Sequence, residues 1–204
     1  MRSFIAIIIL VLTGCGRLNH APTTVATSPT LEMDVIVSIL QERFGAHLPN
    51  GTSLVINSTF SIDGFGQSYD EFTRSLLSEA SDQVPSDLIR DFCQKNAKPQ
   101  SVWPALGLRL PIKLLSRSEL DSFFAVPAKQ KKPDGWDRFY ARYPKSPGII
   151  TISRVGFNQR GDLAIIYLGS QSHWLAGSGQ IHIFRKQHGK WVDERFSIGP
   201  SWVS

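Results

Sequence analysis

Cysteine is scarce in this chain, with only Cys15 and Cys93 among 204 residues. Two cysteines are too few for a disulfide framework or an all-cysteine zinc site. Long apolar runs are missing too. The longest, residues 4–12 (FIAIIILVL), has nine residues, whereas a membrane-crossing helix needs about 20. Dense charge is equally rare. Lys and Arg number 22 against 17 Asp and Glu, for a formal charge of +5. Only Lys129-Gln130-Lys131-Lys132 forms a basic cluster, and Pro127 and Pro133 frame it as a solvated loop. Nucleic acid is therefore not an expected partner.

Signatures of catalysis are absent as well. No serine sits in a G-x-S-x-G elbow, and no histidine and carboxylate stand at metal-ligand spacing on one helix. Gly177-Ser178-Gly179 is too short for a phosphate loop and lacks a following lysine; a glycine bend between two strands suits it better. His173, His182 and His188 read as a loop, a strand and a hairpin tip with no common purpose. Asp162, Asp193 and Glu194 are scattered around turns. No cofactor or metal is expected. Cys93 shares a helical stripe with Ile89, so it reads as a small buried apolar residue.

The short apolar run has a different use. Arg2 precedes it and Leu12-Thr13-Gly14-Cys15 follows it, an arrangement of n-region, h-region and small-residue cleavage site. The string resembles the bacterial lipobox. That resemblance implies diacylglyceryl transfer to the Cys15 thiol, cleavage before it, and an acylated chain starting at Cys15. The partner is then a membrane held through acyl chains such as palmitate on Cys15, since two or more chains anchor stably. Gly16 stands where an aspartate would favour inner-membrane retention. The implied location is the cell envelope, on the outer membrane facing the periplasm in a diderm cell. Loss of residues 1–14 removes Arg2 and lowers the formal charge from +5 to about +4.

Residues 16–30 are rich in Thr, Ser, Ala and Pro without an apolar period and read as a tether. At coil dimensions it would reach roughly 20 Å. The expected layout is a signal peptide over 1–14, a lipidated N-terminus and tether over 15–33, and one globular domain over 34–204.

Asp34 is a fitting N-cap for a helix over 35–44 that carries Ile36, Ile39, Leu40 and Phe44 and stops at Gly45. Residues 53–60 suit a strand. Residues 69–80 and 87–95 suit helices, and 108–115 a strand that Pro111 assigns to an edge. Ser116 and Glu119 form a capping box for a helix through Phe124, and 136–143 another helical turn or two.

From residue 149 the period becomes two. Residues 149–157, 163–168, 180–186 and 191–196 read as four strands, with turns at 158–161 and 188–190. Ile150 and Ile152 have one parity and Val155 and Phe157 the other, which predicts a bulge near Ser153 or Gly156. Residues 163–168 are apolar at both parities, as a central strand requires. The expectation is an α+β fold: an antiparallel meander in the C-terminal third, packed on one face by the N-terminal helices.

Residues 152–158 (ISRVGFN), the later Ala164-Ile165-Ile166-Tyr167-Leu168, the glycine-rich 176–179 and Gly189-Lys190-Trp191 together carry a likeness. Residues 136–204 resemble a family of uncharacterised bacterial proteins, often lipoproteins, that share an SRVGFN…GKW meander. The likeness implies a fold and no activity. Many relatives carry cysteines in the glycine-rich turn, where this chain has Ser172, Trp174 and Ala176.

Two functional expectations follow. The first is a lipid-anchored envelope protein, non-enzymatic, binding another envelope component. The alternative is a small-molecule binder or hydrolase with a pocket between helices and sheet, lined by Arg154, His173 and Trp174. Cys15, for lipid attachment, is the one site residue assigned.

Overall fold

The computed structural model describes residues 29–45, 48, 52–57, 59–80, 84–101, 111–125 and 133–204. Cys15, the signal segment and most of the tether lie outside the described residues. In chain order the elements are α1 (Pro29–Phe44), β1 (Leu54–Asn57), β2 (Thr59–Phe60), a 3-10 turn (Ile62–Phe65), α2 (Tyr69–Glu79), α3 (Ser86–Lys95) and β3 (Gln100–Ser101). They continue with β4 (Ile112–Leu115), α4 (Arg117–Phe124), α5 (Gly135–Arg142), β5 (Ile149–Ile152), β6 (Gly156–Phe157), β7 (Leu163–His173), β8 (Ala176–Gln187) and β9 (Lys190–Val203).

The fold is α+β. The main sheet runs β4-β1-β5-β7-β8-β9, with β6 also paired to β7. β4, β1 and β5 are mutually parallel, and everything from β5 onward is antiparallel, which forms the C-terminal meander. β4 lies at one edge, as Pro111 demands. β7 lies inside, buried on both faces from Leu163 to Gly169.

The helices cover both faces of the sheet, whereas the sequence pattern suggested one. α1 packs Val35, Ile36, Ile39 and Leu40 against Ile56, Ile150, Ala164, Ile166 and Phe184. α2 and α3 pack Phe72, Leu76, Leu88 and Phe92 against the opposite parity, Ile165, Tyr167, Ile181 and Ile183. A third cluster joins α4 and α5, through Phe123, Trp136 and Phe139, to Val55, Leu115 and Ile149. Alternate residues of a strand point to opposite faces. Strands apolar at both parities therefore need helices on both sides, and β7 supplied that signal.

The bulge is where the parity switch placed it. Ile152 pairs with Leu168 and Gly156 with Ile165, so four steps on one strand face three on the other. The extra residue lets Ile150, Ile152, Val155 and Phe157 share one cluster despite their parities. Each residue of the SRVGFN string has a structural task here. Ser153 Oγ accepts from Tyr167 N at 2.9 Å and donates to Arg154 O. Arg154 forks onto Glu32, and Val155 N donates to the same carboxylate at 2.8 Å. A Cβ at Gly156 would stand 2.6 Å from Phe92 Cβ and 2.7 Å from its Cα, so α3 can approach only glycine. Phe157 N donates to Asp91. Asn158 Oδ1 accepts from Asp162 N and Leu163 N and closes the turn.

Three expectations about boundaries are corrected. α1 begins at Pro29, not at Asp34, so residues 29–33 of the expected tether are helical. Glu32, pinned to Arg154 and Val155, holds that first turn by a contact 122 residues distant. Residues 177–179 form no bend. They lie within β8, and the turn falls at Trp174-Leu175. A Cβ at Gly177 would come within 2.8 Å of the Trp202 ring, so the glycine makes room for packing. The last strand runs past Phe196 to Val203 because two irregularities, at Arg195 (φ 60°) and Gly199 (φ 72°), bend it without ending it. An edge strand bearing Pro200 and such kinks resists pairing with another chain.

Candidate functional site

The parallel strands end side by side. Asn57 pairs in register with Leu115 on one flank and Thr151 on the other. Directly after β4, Ser116 accepts from Glu119 N while Glu119 accepts from Ser116 N, so the capping box starts α4 immediately. The tight turn sets Arg117 and Asp121 above the strand ends. Asp134 caps α5 in the same reciprocal way with Asp137.

On this face α4 and α5 cover the β4–β1–β5 end of the sheet, and the 3-10 turn, α2 and α3 cover the β7–β9 end. Between the two groups the sheet surface at Asn57, Thr151 and Gln171 is half-buried. The gap is a groove of two adjoining lobes, about 240 and 510 Å³, which share Asn57, Arg117 and Thr151. This lies at the carboxyl ends of parallel strands, where open α/β sheets place their ligands.

Aromatic rings wall both lobes. In the smaller, Phe124 meets Trp136 edge-to-face at 5.1 Å and Trp174 at 5.7 Å. Trp174, at the β7–β8 hairpin tip, donates its indole N–H to Asp134 Oδ2 at 3.1 Å and so ties the tip to the α5 N-cap. The Asp137 backbone N–H and then the Trp174 indole hold the Asp134 carboxyl below its ordinary range. In the larger lobe, Phe60 stacks on Tyr167 at 5.0 Å and Phe65 meets Tyr167 edge-to-face at 5.3 Å. Burial pushes the Tyr167 phenol up, and the Trp202 indole N–H donates to its oxygen at 2.9 Å.

The floor is polar. Asn57 Oδ1 accepts from Thr59 N, which leaves its amide N–H groups for the groove. The Thr151 hydroxyl and Gln171 amide have no side-chain hydrogen bond among the described residues. Arg117 uses Nε on Asp121, at 3.1 and 3.3 Å, and its side chain is otherwise exposed. Trp136, 2 % exposed, has an indole N–H without a partner among the described residues.

The three residues proposed to line a helix–sheet pocket do not come together. Trp174 walls the groove, and His173 stacks on Trp136 at 6.3 Å. Arg154 is absent from it. Its neighbour Ser153 pairs with Tyr167, seven residues along β7 from Trp174 and thus roughly 20 Å away at strand rise. There Arg154 is committed to Glu32 and Asn96. The groove floor itself, Asn57, Thr151 and Gln171, left no mark in the sequence. Single polar residues in short strands become a site only through strand register.

The opposite face holds a second polar cluster. His182, 4 % exposed, lies 3.2 Å from Asp193 Oδ2 by Nδ1 and 3.2 Å from Gln180 Nε2 by Nε2, with Arg43 alongside. Burial, helped by Arg43, pushes the imidazole below its ordinary value against the pull of Asp193. With Gln180 donating to Nε2, Nδ1–H donates to Asp193. Ser170 and Ser178 line the adjoining cavity of about 290 Å³, yet neither hydroxyl bonds the histidine. The Gln180 amide occupies the nitrogen that a nucleophile would need. His188 sits at an exposed turn with φ 49°. Among the described residues no three His, Cys, Asp or Glu side chains gather to hold a metal ion, and no helix is long and apolar enough to cross a membrane. Cys93 is fully buried, and burial raises its thiol pKa, which suppresses the reactive thiolate.

No known protein family, curated protein or solved structure matches the chain.

Proposed function

We propose that this protein is a bacterial lipoprotein, acylated at Cys15 and held to the cell envelope, whose globular domain binds a ligand in the groove above β1 and β5. The anchor rests on the ordered run of Arg2, nine apolar residues and Leu12-Thr13-Gly14-Cys15, and on the SRVGFN…GKW resemblance to uncharacterised bacterial proteins that are often lipoproteins. The binding role rests on the groove. Its floor of Asn57, Thr151 and Gln171 offers hydrogen-bonding groups that no described residue uses. These half-buried groups are open to water in the free domain, and a ligand that displaces that water can take up their hydrogen bonds. A concave site with a few convergent polar groups is the usual form of a ligand pocket.

Two measurements test the two halves. Intact mass of the protein from host membranes should show a chain starting at Cys15 with two or three acyl chains, and Cys15→Ala should leave the membrane fraction. An unmodified chain, or a Cys15→Ala protein that stays membrane-bound, refutes the anchor. For the groove, where deletion of the protein causes an envelope defect, the Asn57→Ala/Thr151→Val double variant should fold and yet fail to restore the wild-type state. Full complementation by the double variant refutes a binding role for this surface.

A further inference from the structure

We propose that the groove ligand is a neutral oligosaccharide of two or three rings, a reading that rests on the groove being the binding site. The first argument is charge. Among the described residues, the ionised groups lining the two lobes are Arg117 and Asp121, which pair with each other at 3.1 Å. The described lining is therefore electrically balanced and gives a phosphorylated or multiply charged ligand no unopposed counter-charge.

The second argument is the distribution of apolar and polar surface. Aromatic carbon stands at both ends, with Phe124, Trp136 and Trp174 on one side and Phe60, Phe65 and Tyr167 on the other. Amide and hydroxyl groups occupy the middle. A purely apolar chain would cover Asn57, Thr151 and Gln171 and leave them dehydrated and unpaired, at a cost for each. A sugar ring carries both surfaces at once. Its C–H face lies on an aromatic ring, and its hydroxyl edge both donates and accepts. Asn57 and Arg117 donate, Asp121 accepts, and Thr151 and Gln171 do either.

The third argument is against an extended peptide. Peptides gain affinity at sheets by adding a strand to a free edge. The floor here is β1 and β5, each hydrogen-bonded to strands on both sides, so the floor offers no edge, and β2 at the rim of the larger lobe is only two residues long. Lobes of about 240 and 510 Å³ joined at three shared residues suit two or three linked rings and leave a large polymer to extend outside.

The test uses the full chain in detergent micelles, with the five tryptophan indole N–H signals followed by NMR. Maltotriose, cellotriose and triacetylchitotriose are the probes, with trialanine and phosphocholine beside them. At least one trisaccharide should move the Trp136 and Trp174 signals saturably and leave Trp191 still. Asn57→Ala should weaken that binding about tenfold, the change expected for one lost hydrogen-bonding group, while the melting temperature falls by only about 2–4 °C, as loss of the Thr59 N–H bond implies. Trp174→Phe, which keeps a ring, should weaken it less than Trp174→Ala. If only trialanine or phosphocholine moves those signals, the saccharide assignment is overturned and the groove stands as a site. If no probe moves them, both the saccharide assignment and the groove reading fall.

Discussion

Replacing Glu32 with alanine should cost this domain far more than a surface carboxylate would. The side chain is 11 % exposed and its carboxylate takes three hydrogen bonds: 2.8 and 2.9 Å from Arg154 and 2.8 Å from the Val155 N–H. Truncation leaves a guanidinium and a backbone N–H facing an emptied cavity. Breaking a buried pair by removing one member costs about 3–5 kcal/mol. The Arg154 side chain keeps 29 % exposure and can recover some water, so the low end applies, about 3 kcal/mol. For a domain of this size that is a melting temperature lower by about 6–12 °C. Glu32→Gln keeps one carbonyl acceptor and should lose about half as much. Amide exchange over residues 30–34 should quicken in both variants, because the first turn of α1 has lost its tie to the β5–β6 bulge. Thermal unfolding of the wild type, both single variants and the Glu32→Ala/Arg154→Ala double variant measures it. Melting of Glu32→Ala within 2 °C of wild type, by the same conversion, would show that this clamp does not hold α1, and the reasoning would fail.

Gly156→Ala tests close packing at the bulge. An alanine at an unconstrained position usually stabilises by up to about 1 kcal/mol, but here its Cβ would meet Phe92 backbone at 2.7 Å, so we expect a loss of about 2–3 kcal/mol in urea unfolding; a gain would refute the contact. His182 sets an acid dependence. It is neutral in the fold, with its pKa pushed below the ordinary 6.5 by burial, while the unfolded chain binds the proton as pH falls through that value. Unfolding then takes up a proton, so stability falls with pH below about 6.5, by at most about 1.4 kcal/mol per pH unit, and levels off once the folded imidazole protonates. Urea midpoints between pH 7.5 and 5 should therefore fall more steeply for wild type than for His182→Gln, and parallel profiles would remove the assignment.

Local chemistry alone determined much of this protein. The capping boxes at Ser116, the helical stripes of α2 and α3, the turn at Asn158, the edge position implied by Pro111 and the parity switch across Ser153–Gly156 all follow from side chains within a few residues of one another. The proposed lipobox string is of the same kind, because such a motif is defined by neighbouring residues alone. What depends on residues far apart in the chain had no such trace. The first turn of α1 looked like tether because its stabilising partners, Arg154 and Val155, lie more than a hundred residues away. Gly177 and Gly179 looked like a bend because Trp202, which requires their missing side chains, arrives only with the last strand. The groove is the extreme case. Asn57, Arg117, Thr151 and Gln171 are unremarkable singly, and only the pairing of β1 between β4 and β5, with one helix pair on each side, turns four scattered polar groups into one floor. Strand register is set by summed core burial across the whole sheet, so tertiary structure alone decided where the site would be.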